Sequence, residues 1–336
     1  MDFIALPKIE LHAHLTGSVS RRSLHEIWLK KKAAGETDLE DPLIVMPEGK
    51  HDYDLKTFFP LFSSYIYNLL TDAPSIRYAT TSVLRDFASD GVVYLELRTT
   101  PRSTPHLSAD EYVSILLDTI AAFEADSHST LHTRLILSID RRHDLPTATS
   151  VLDLALRHRG RVAGIDLCGD PTARPGGEVA LFTPVFRRAR GEGLGITVHF
   201  AEAEASGSRA ELDELLSWRP DRLGHVIWED EAARRVIAER GLCLELCLSC
   251  NVQAGMVKGG FEGHHFGEWR GVEGPRISLG TDDVGVFGSP LSEEYRLVAQ
   301  HFKLDKAEVN SLARQSIDAI FGGEEEKQRL RDIMWS

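Results

Sequence analysis

The sequence predicts an α/β fold, a single (β/α)8 TIM barrel spanning residues 1–336. Three observations carry that prediction. Short apolar strand patterns alternate with helical patterns along the chain, as a parallel sheet with crossover helices requires. The 336 residues suit one large barrel as well as two average domains, and no linker composition divides them. Polar residues able to do chemistry gather at the C-terminal ends of the strand patterns, where barrels place their sites. An open doubly wound sheet is the competing arrangement.

Eight strand patterns can be marked: 9–15, 92–99, 133–140, 162–169, 195–201, 222–228, 243–249 and 276–282. Helical patterns lie between most of them. Asp72 opens one, with Pro74 in its first turn and Gly91 as its stop. Ser108 and Glu111 make a capping box for another, whose apolar positions Tyr112, Ile115, Leu116 and Ile120 recur at helical spacing. Two regions stand outside the alternation. Residues 34–57 contain Gly35, Pro42, Pro47 and Gly49 and read as a long loop leading to Phe58–Leu70, so 34–70 is a candidate lid. Residues 290–334 read as additional C-terminal helices.

Composition removes several function classes. Lys plus Arg is 38 against 51 Asp plus Glu, a net charge of -13. A nucleic-acid polymer needs a basic face to displace its counterions, so none is expected as partner. A small anion needs only a local cluster of donors. No apolar run approaches the ~18 residues of a membrane span, and the start, Met1–Pro7, does not read as a signal peptide. Four cysteines, Cys168, Cys243, Cys247 and Cys250, suit a reducing compartment. The expectation is a cytoplasmic protein, off the membrane, acting on a small molecule, with a monomer as the simplest state.

Side chains along a strand alternate faces. In the first strand Ile9, Leu11, Ala13 and Leu15 oppose Glu10, His12 and His14. In the fifth, Ile196, Val198 and Phe200 oppose Thr197 and His199. In the seventh, Leu244 and Leu246 oppose Cys243, Glu245 and Cys247. In the eighth, Ile277 and Leu279 oppose Ser278, Gly280 and Asp282. The apolar faces should meet the helices and the polar faces should look inward. His12 and His14 then stand ~7 Å apart on one face. With His199 and Asp282 at matching heights they offer three nitrogens and one oxygen, a donor set suited to Zn²⁺. Cys243, Cys247 and Cys250 lack a fourth partner and read as barrel filling.

These residues also carry a resemblance. Leu11-His12-Ala13-His14-Leu15 with Gly17, His199-Phe200-Ala201-Glu202, Gly224-His225 and Thr281-Asp282-Asp283 occur in the order found in the adenosine and AMP deaminase family. Pro7-Lys8-Ile9-Glu10, Tyr94-Leu95-Glu96-Leu97-Arg98, Asp140-Arg141-Arg142, Gly164-Ile165-Asp166-Leu167 and His264-His265-Phe266-Gly267 resemble its adenosine-deaminase-like branch, the N6-methyl-AMP deaminases. The resemblance covers nearly the whole chain. It implies a barrel of the metal-dependent hydrolase type with one zinc per chain, held by His12, His14, His199 and Asp282. Cys168-Gly169-Asp170 stands where other barrel hydrolases carry a bridging lysine, which favours one metal. The Pro-Cys-x-x-Cys signature of the unrelated zinc deaminase fold is absent.

The resemblance implies roles as well. Zinc lowers the pKa of a bound water toward ~7, giving a hydroxide that attacks the purine C6. Glu202 corresponds to the proton donor to the neighbouring ring nitrogen, and burial should raise its pKa. His225 would orient the hydroxide; a buried core histidine is the plainer reading. Asp283 would accept hydrogen bonds from hydroxide or purine, and Gly169 would let its N–H approach the base. His14 would also touch substrate.

Thr16 stands where adenosine deaminases carry an aspartate for the ribose 5′-hydroxyl. A carboxylate ~4 Å from a phosphate charge costs about 4 kcal/mol at an effective dielectric of 20. Threonine removes that repulsion, although the branch often has asparagine there. Ser18, Arg98, Thr99, Thr100 and Arg102 are candidates for the phosphate, and Asp140 for the ribose. Arg98 has a second reading, an ion pair with Glu96 or Glu10 inside the barrel. The implied reaction is hydrolysis of N6-methyl-AMP to IMP and methylamine. The alternatives are an adenosine or adenine deaminase, and a barrel that binds a nucleotide without catalysis.

Overall fold

The computed structural model describes residues 1–47, 49–50, 53–126 and 129–335. Its frame is one parallel sheet with strands in chain order: β1 (Lys8–His14), β2 (Val92–Thr99), β3 (His132–Asp140), β4 (Val162–Cys168), β5 (Gly195–Phe200), β6 (Arg222–His225), β7 (Cys243–Leu246) and β8 (Arg276–Leu279). The last strand returns to the first. Ala13 bridges Asp282 in parallel, with His14 N–H on the Asp282 carbonyl at 2.9 Å and Asp282 N–H on the His12 carbonyl at 2.7 Å. The sheet is therefore closed by the backbone of three residues that the sequence reading makes metal ligands.

The predicted alternation holds. Ile9, Leu11, Ile196, Val198, Leu244 and Leu246 are buried in the apolar layer under the helices. The inward face carries charge. Arg222 joins Glu96 and Glu245 at 2.6 Å each, and Arg98 joins Glu245 at 2.8 Å and Asp166 at 3.4 Å, with every side chain fully buried. Desolvating so many charges is costly, and the network persists because each charge has an opposite partner and further hydrogen bonds.

The expected caps form. The Ser108 hydroxyl accepts the Glu111 N–H at 3.3 Å and the Glu111 carboxylate accepts the Ser108 N–H at 2.8 Å, starting the helix Ala109–Glu124. Asp72 caps Ala73–Ser89 through Ser75. The helices Leu291–Phe302, Lys306–Gln315 and Glu324–Met334 follow the barrel. Among the described residues no helix is long and apolar enough to cross a membrane.

Strand ends differ from expectation. β6, β7 and β8 stop three residues short of the predicted ends. His225, Val226 and Asp282 adopt left-handed φ of 67°, 56° and 58°, which leaves the ladder and turns the chain into the site. After β7 the chain enters the helix Leu248–Gln253, so Cys250 sits on a helix rather than beyond a strand. The stretch 34–57 expected as a loop contains the helix Pro42–Val45 and the start of the helix Leu55–Leu61. Pro60 removes a helical N–H, and the π-helical turn Phe62–Ile66 follows at once. Glu48, His51 and Asp52 of that stretch lie outside the described residues.

Candidate active site

Four side chains from three strand ends converge at the C-terminal mouth. His14 Nε2 lies 3.0 Å from His199 Nε2 and 3.3 Å from Asp282 Oδ1, and His12 Nε2 lies 3.5 Å from the same oxygen. All four donor atoms fall within 4.8 Å of one another. Donors ~2.0–2.1 Å from a shared Zn²⁺ have mutual separations of about this size.

Hydrogen bonds behind the rings set which nitrogens face inward. His12 Nδ1 bonds Glu245 Oε2 at 2.7 Å. His199 Nδ1 donates to the Leu167 carbonyl at 2.9 Å and lies 3.1 Å from Asp166 Oδ1. A carbonyl only accepts, so Nδ1 of His199 carries a proton toward Leu167 and Nε2 is the nitrogen turned inward. His12 Nε2 has no hydrogen-bond partner. Burial lowers the His14 pKa to about 3, which keeps its ring neutral. Ring nitrogens and a carboxylate oxygen gathered at these distances fit a cation.

Packing makes room for the cluster. A Cβ on Gly224 would stand 2.5 Å from His12 Cε1, and one on Gly17 would stand 1.4 Å from Asp283 Oδ1. The Cys250 thiol donates to Asp282 Oδ2 at 2.8 Å. Cys247 comes close to His225 and Asp282 as a second three-donor group. Burial raises that thiol well above its ordinary range, so it remains protonated.

Three acid–base groups edge the same space. Glu202 follows β5 and is buried, with Oε2 unpartnered. Burial, reinforced by the Asp282 charge against the opposing influence of His199, raises its pKa to about 7. His225 Nε2 stands 3.8 Å from Glu202 Oε1 and 3.9 Å from Asp282 Oδ2. Burial, followed by the charges of Asp282 and Glu202, pushes the Asp283 carboxyl well upward. Thus one carboxylate of the Asp282-Asp283 pair joins the donor set while its neighbour is held toward the protonated form.

A model of the adenosine deaminase family matches residues 7–335. The chain belongs to the adenosine deaminase family. Similar relatives include the N6-methyl-AMP deaminase of Homo sapiens, 34% identical over 345 residues and covering 98% of this chain and 93% of its own. The N6-mAMP deaminase of Arabidopsis thaliana is 35% identical over 363 residues, covering 99% and 98%. Arabidopsis ADAL complexed with IMP superposes at a TM-score of 0.91 and 34% identity, covering 99% of this chain and 98% of that one. An adenine deaminase from Arthrobacter aurescens, 23% identical with a TM-score of 0.83 and 98% of both chains covered, shares the fold.

The cavity of this deaminase-family barrel is lined by His14, Thr16, Thr99, Thr100, Arg102, Asp140, Gly169, His199, Glu202, Asp282 and Asp283, all among the sequence candidates. Two candidates need correction. Ser18 is buried beside Asp86, Phe87 and Asp90 in a separate recess and does not line the cavity. The reason is local: Leu15–Ser18 is a helical turn, and the strand alternation that carries His14 inward stops before Ser18. Arg98 touches the cavity, but its guanidinium is buried beneath the histidines between Glu245, Asp166 and the Leu11 carbonyl. It neutralises the carboxylates that orient His12 and His199. The pairing inside the barrel is real, with partners other than Glu96 and Glu10.

Other candidates carry prior engagements. Thr99 Oγ1 bonds the Tyr112 hydroxyl at 2.7 Å, and Asp140 meets Arg142 at 2.6 and 2.8 Å. A Cβ on Gly169, whose φ is 95°, would strike Asp140. Arg102 lies 4.3 Å from the Tyr67 ring centre and 4.8 Å from that of Tyr112, and makes no ion pair among the described residues. The sequence reading missed Arg142, Phe58, Phe59, Phe62 and Tyr67 in the wall. The dense aromatics of 58–67 were the available signal. It also missed Asp166 as the partner of His199, although strand alternation puts Asp166 on the inward face.

Proposed function

We propose that this chain is a one-zinc hydrolase that converts N6-methyl-AMP to IMP and methylamine. The observation that carries the reading is the convergence of Glu202, with its raised pKa, on the cavity lined by His14, His199 and Asp282 of the four-donor cluster. The relatives at 34–35% identity are N6-methyl-AMP deaminases, which supports the substrate. So does the balance of charge at the mouth. Thr16 brings no carboxylate, and Arg102 offers a cation without an ion-pair partner among the described residues.

His12, His14, His199 and Asp282 would hold the zinc, which when bound supplies an activated water at neutral pH. Glu202 holds a proton near pH 7 and delivers it to the ring nitrogen beside C6. That protonation draws electron density from C6 and admits attack. His225, through Nε2, and Asp283 orient the attacking oxygen. Gly169 leaves space for the base beside Asp140, which serves the ribose. Thr16, Thr100 and Arg102 face the phosphate. Residues 34–70 act as a lid, with Phe58, Phe59 and Phe62 covering the ring and excluding water. The enzyme works as one barrel domain, as a cytosolic monomer.

A substrate panel tests the reading. The purified protein, with zinc measured at one per chain, should turn over N6-methyl-AMP faster than AMP, adenosine or adenine. Preference for adenosine or adenine would overturn the phosphate assignment. Loss of all turnover at full zinc occupancy would leave a nucleotide-binding barrel.

A further inference from the structure

The His264-His265-Phe266-Gly267 motif supplies none of the residues used above, yet it ends in contact with His225. We propose that Asn251 and His264 are positioning residues that set the tautomer of His225, while His265 holds its backbone. The inference rests on the deamination reading for its kinetic consequence and on hydrogen-bond chemistry for its content.

The direction of the relay follows from its fixed end. The backbone N–H of Phe266 can only donate, and it lies 3.1 Å from His264 Nδ1. In the neutral ring, His264 therefore carries its proton on Nε2. That N–H faces Asn251 Oδ1 at 3.2 Å. With its oxygen so engaged, the Asn251 amide turns its NH2 toward His225 Nδ1, 2.9 Å away. An amide nitrogen donates, so His225 Nδ1 accepts and the ring proton belongs on Nε2. His225, Asn251 and His264 are all buried, so water offers little competition for these bonds.

The Nε2–H is the end that serves the reaction. It faces Glu202 and Asp282 at 3.8 and 3.9 Å, and no protein atom takes its hydrogen bond. A donor there can steady the charge of an attacking oxygen. The opposite tautomer would turn a lone pair on it. Backbone placement is separate. His225 adopts φ 67°, and His265 Nε2–H donates to its carbonyl at 2.6 Å. The stacked rings of His264 and His265, with centroids 4.1 Å apart, thus hold one residue by its side chain and by its main chain.

Asn251→Asp tests the relay, since it keeps the shape and replaces the donor with an acceptor. In the zinc-loaded wild type, a long-range proton–nitrogen correlation spectrum should report His225 as the Nε2–H tautomer, its signals assigned by their loss in His225→Gln. In N251D the proton should move to Nδ1. The kcat for N6-methyl-AMP should fall about 100-fold, with KM and zinc content nearly unchanged. An Nδ1–H wild-type ring, or an unaltered tautomer and kcat in N251D, overturns the proposal. Should N251D fail to fold, His264→Phe keeps the ring volume without the donor. It should give mixed tautomers and about a tenfold lower kcat, and an unchanged spectrum and rate would overturn the proposal equally. A protein without turnover on any purine would defeat the deamination reading, while the spectrum would still decide the relay.

Discussion

The inner and outer ends of the cavity are built differently. At the inner end, His12, His14, His199 and Asp282 stand on or directly after strands, and the rings of His12 and His199 are anchored from behind by Glu245, Asp166 and the Leu167 carbonyl. At the outer end, Phe58 and Phe59 come from a helix, Phe62 from a π-helical turn and Tyr67 from the short helix Tyr67–Leu69 after it, and Arg102 comes from the loop after β2. The first end is rigid because the sheet hydrogen bonds and a buried ion network hold it together. The second depends on aromatic packing and on loops. Chemistry that must hold reacting atoms within fractions of an ångström belongs on the first kind of support, and recognition of a variable group belongs on the second.

Four experiments break or sharpen that contrast. Glu202→Gln should have the largest effect, a loss of about 10²–10⁴-fold in kcat with zinc content unchanged; a variant with near-normal turnover would remove Glu202 as the acid. Arg98→Met should come next and should act on the rigid end as a whole. It removes the arginine beside buried Asp166 and leaves Glu245 with Arg222 as its remaining arginine, so chemical denaturation should reveal destabilisation of about 3–5 kcal/mol, with weakened zinc binding. If Arg98 instead served only the phosphate, stability would stay unchanged.

Arg102→Ala addresses the outer end. The kcat/KM for the nucleotide should fall about 10–30-fold, as expected for losing a charged hydrogen bond of about 1.5–2 kcal/mol, with the nucleoside rate little altered. Equal losses on both would move Arg102 away from the phosphate. The smallest effect near neutrality is that of pH. The acid must be protonated to work, and burial with the Asp282 charge raises Glu202 to about 7. Turnover should therefore hold below about pH 7 and fall as pH rises through it, approaching tenfold per unit. That basic limb should vanish from the residual rate of Glu202→Gln.

Strand alternation made the inner end legible before any coordinates. A period of two puts His12, His14 and His199 on the inward face whatever the surrounding loops do, and the same rule picks out Glu245. It fails where the strand stops. Ser18 lies in a helical turn and therefore faces a different recess. Arg98 obeys the alternation and points inward, but its long side chain runs beneath the histidines to carboxylates on β4 and β7. Strand geometry specifies the face a side chain leaves from, and the partner its far end meets depends on strands distant in the chain.

The sequence by itself determined the barrel, the donor set and the family, because each rests on local periodicity or on a motif of contiguous residues. The tertiary structure decided the rest. It decided between the two readings of Arg98 by making it the counter-ion of Glu245 and Asp166, joined Asn251 and His264 to His225 and brought the aromatics of 58–67 over the site. Those relations are made between residues tens to hundreds of positions apart, and closing the sheet through Ala13 and Asp282 brings such distant strand ends to one mouth.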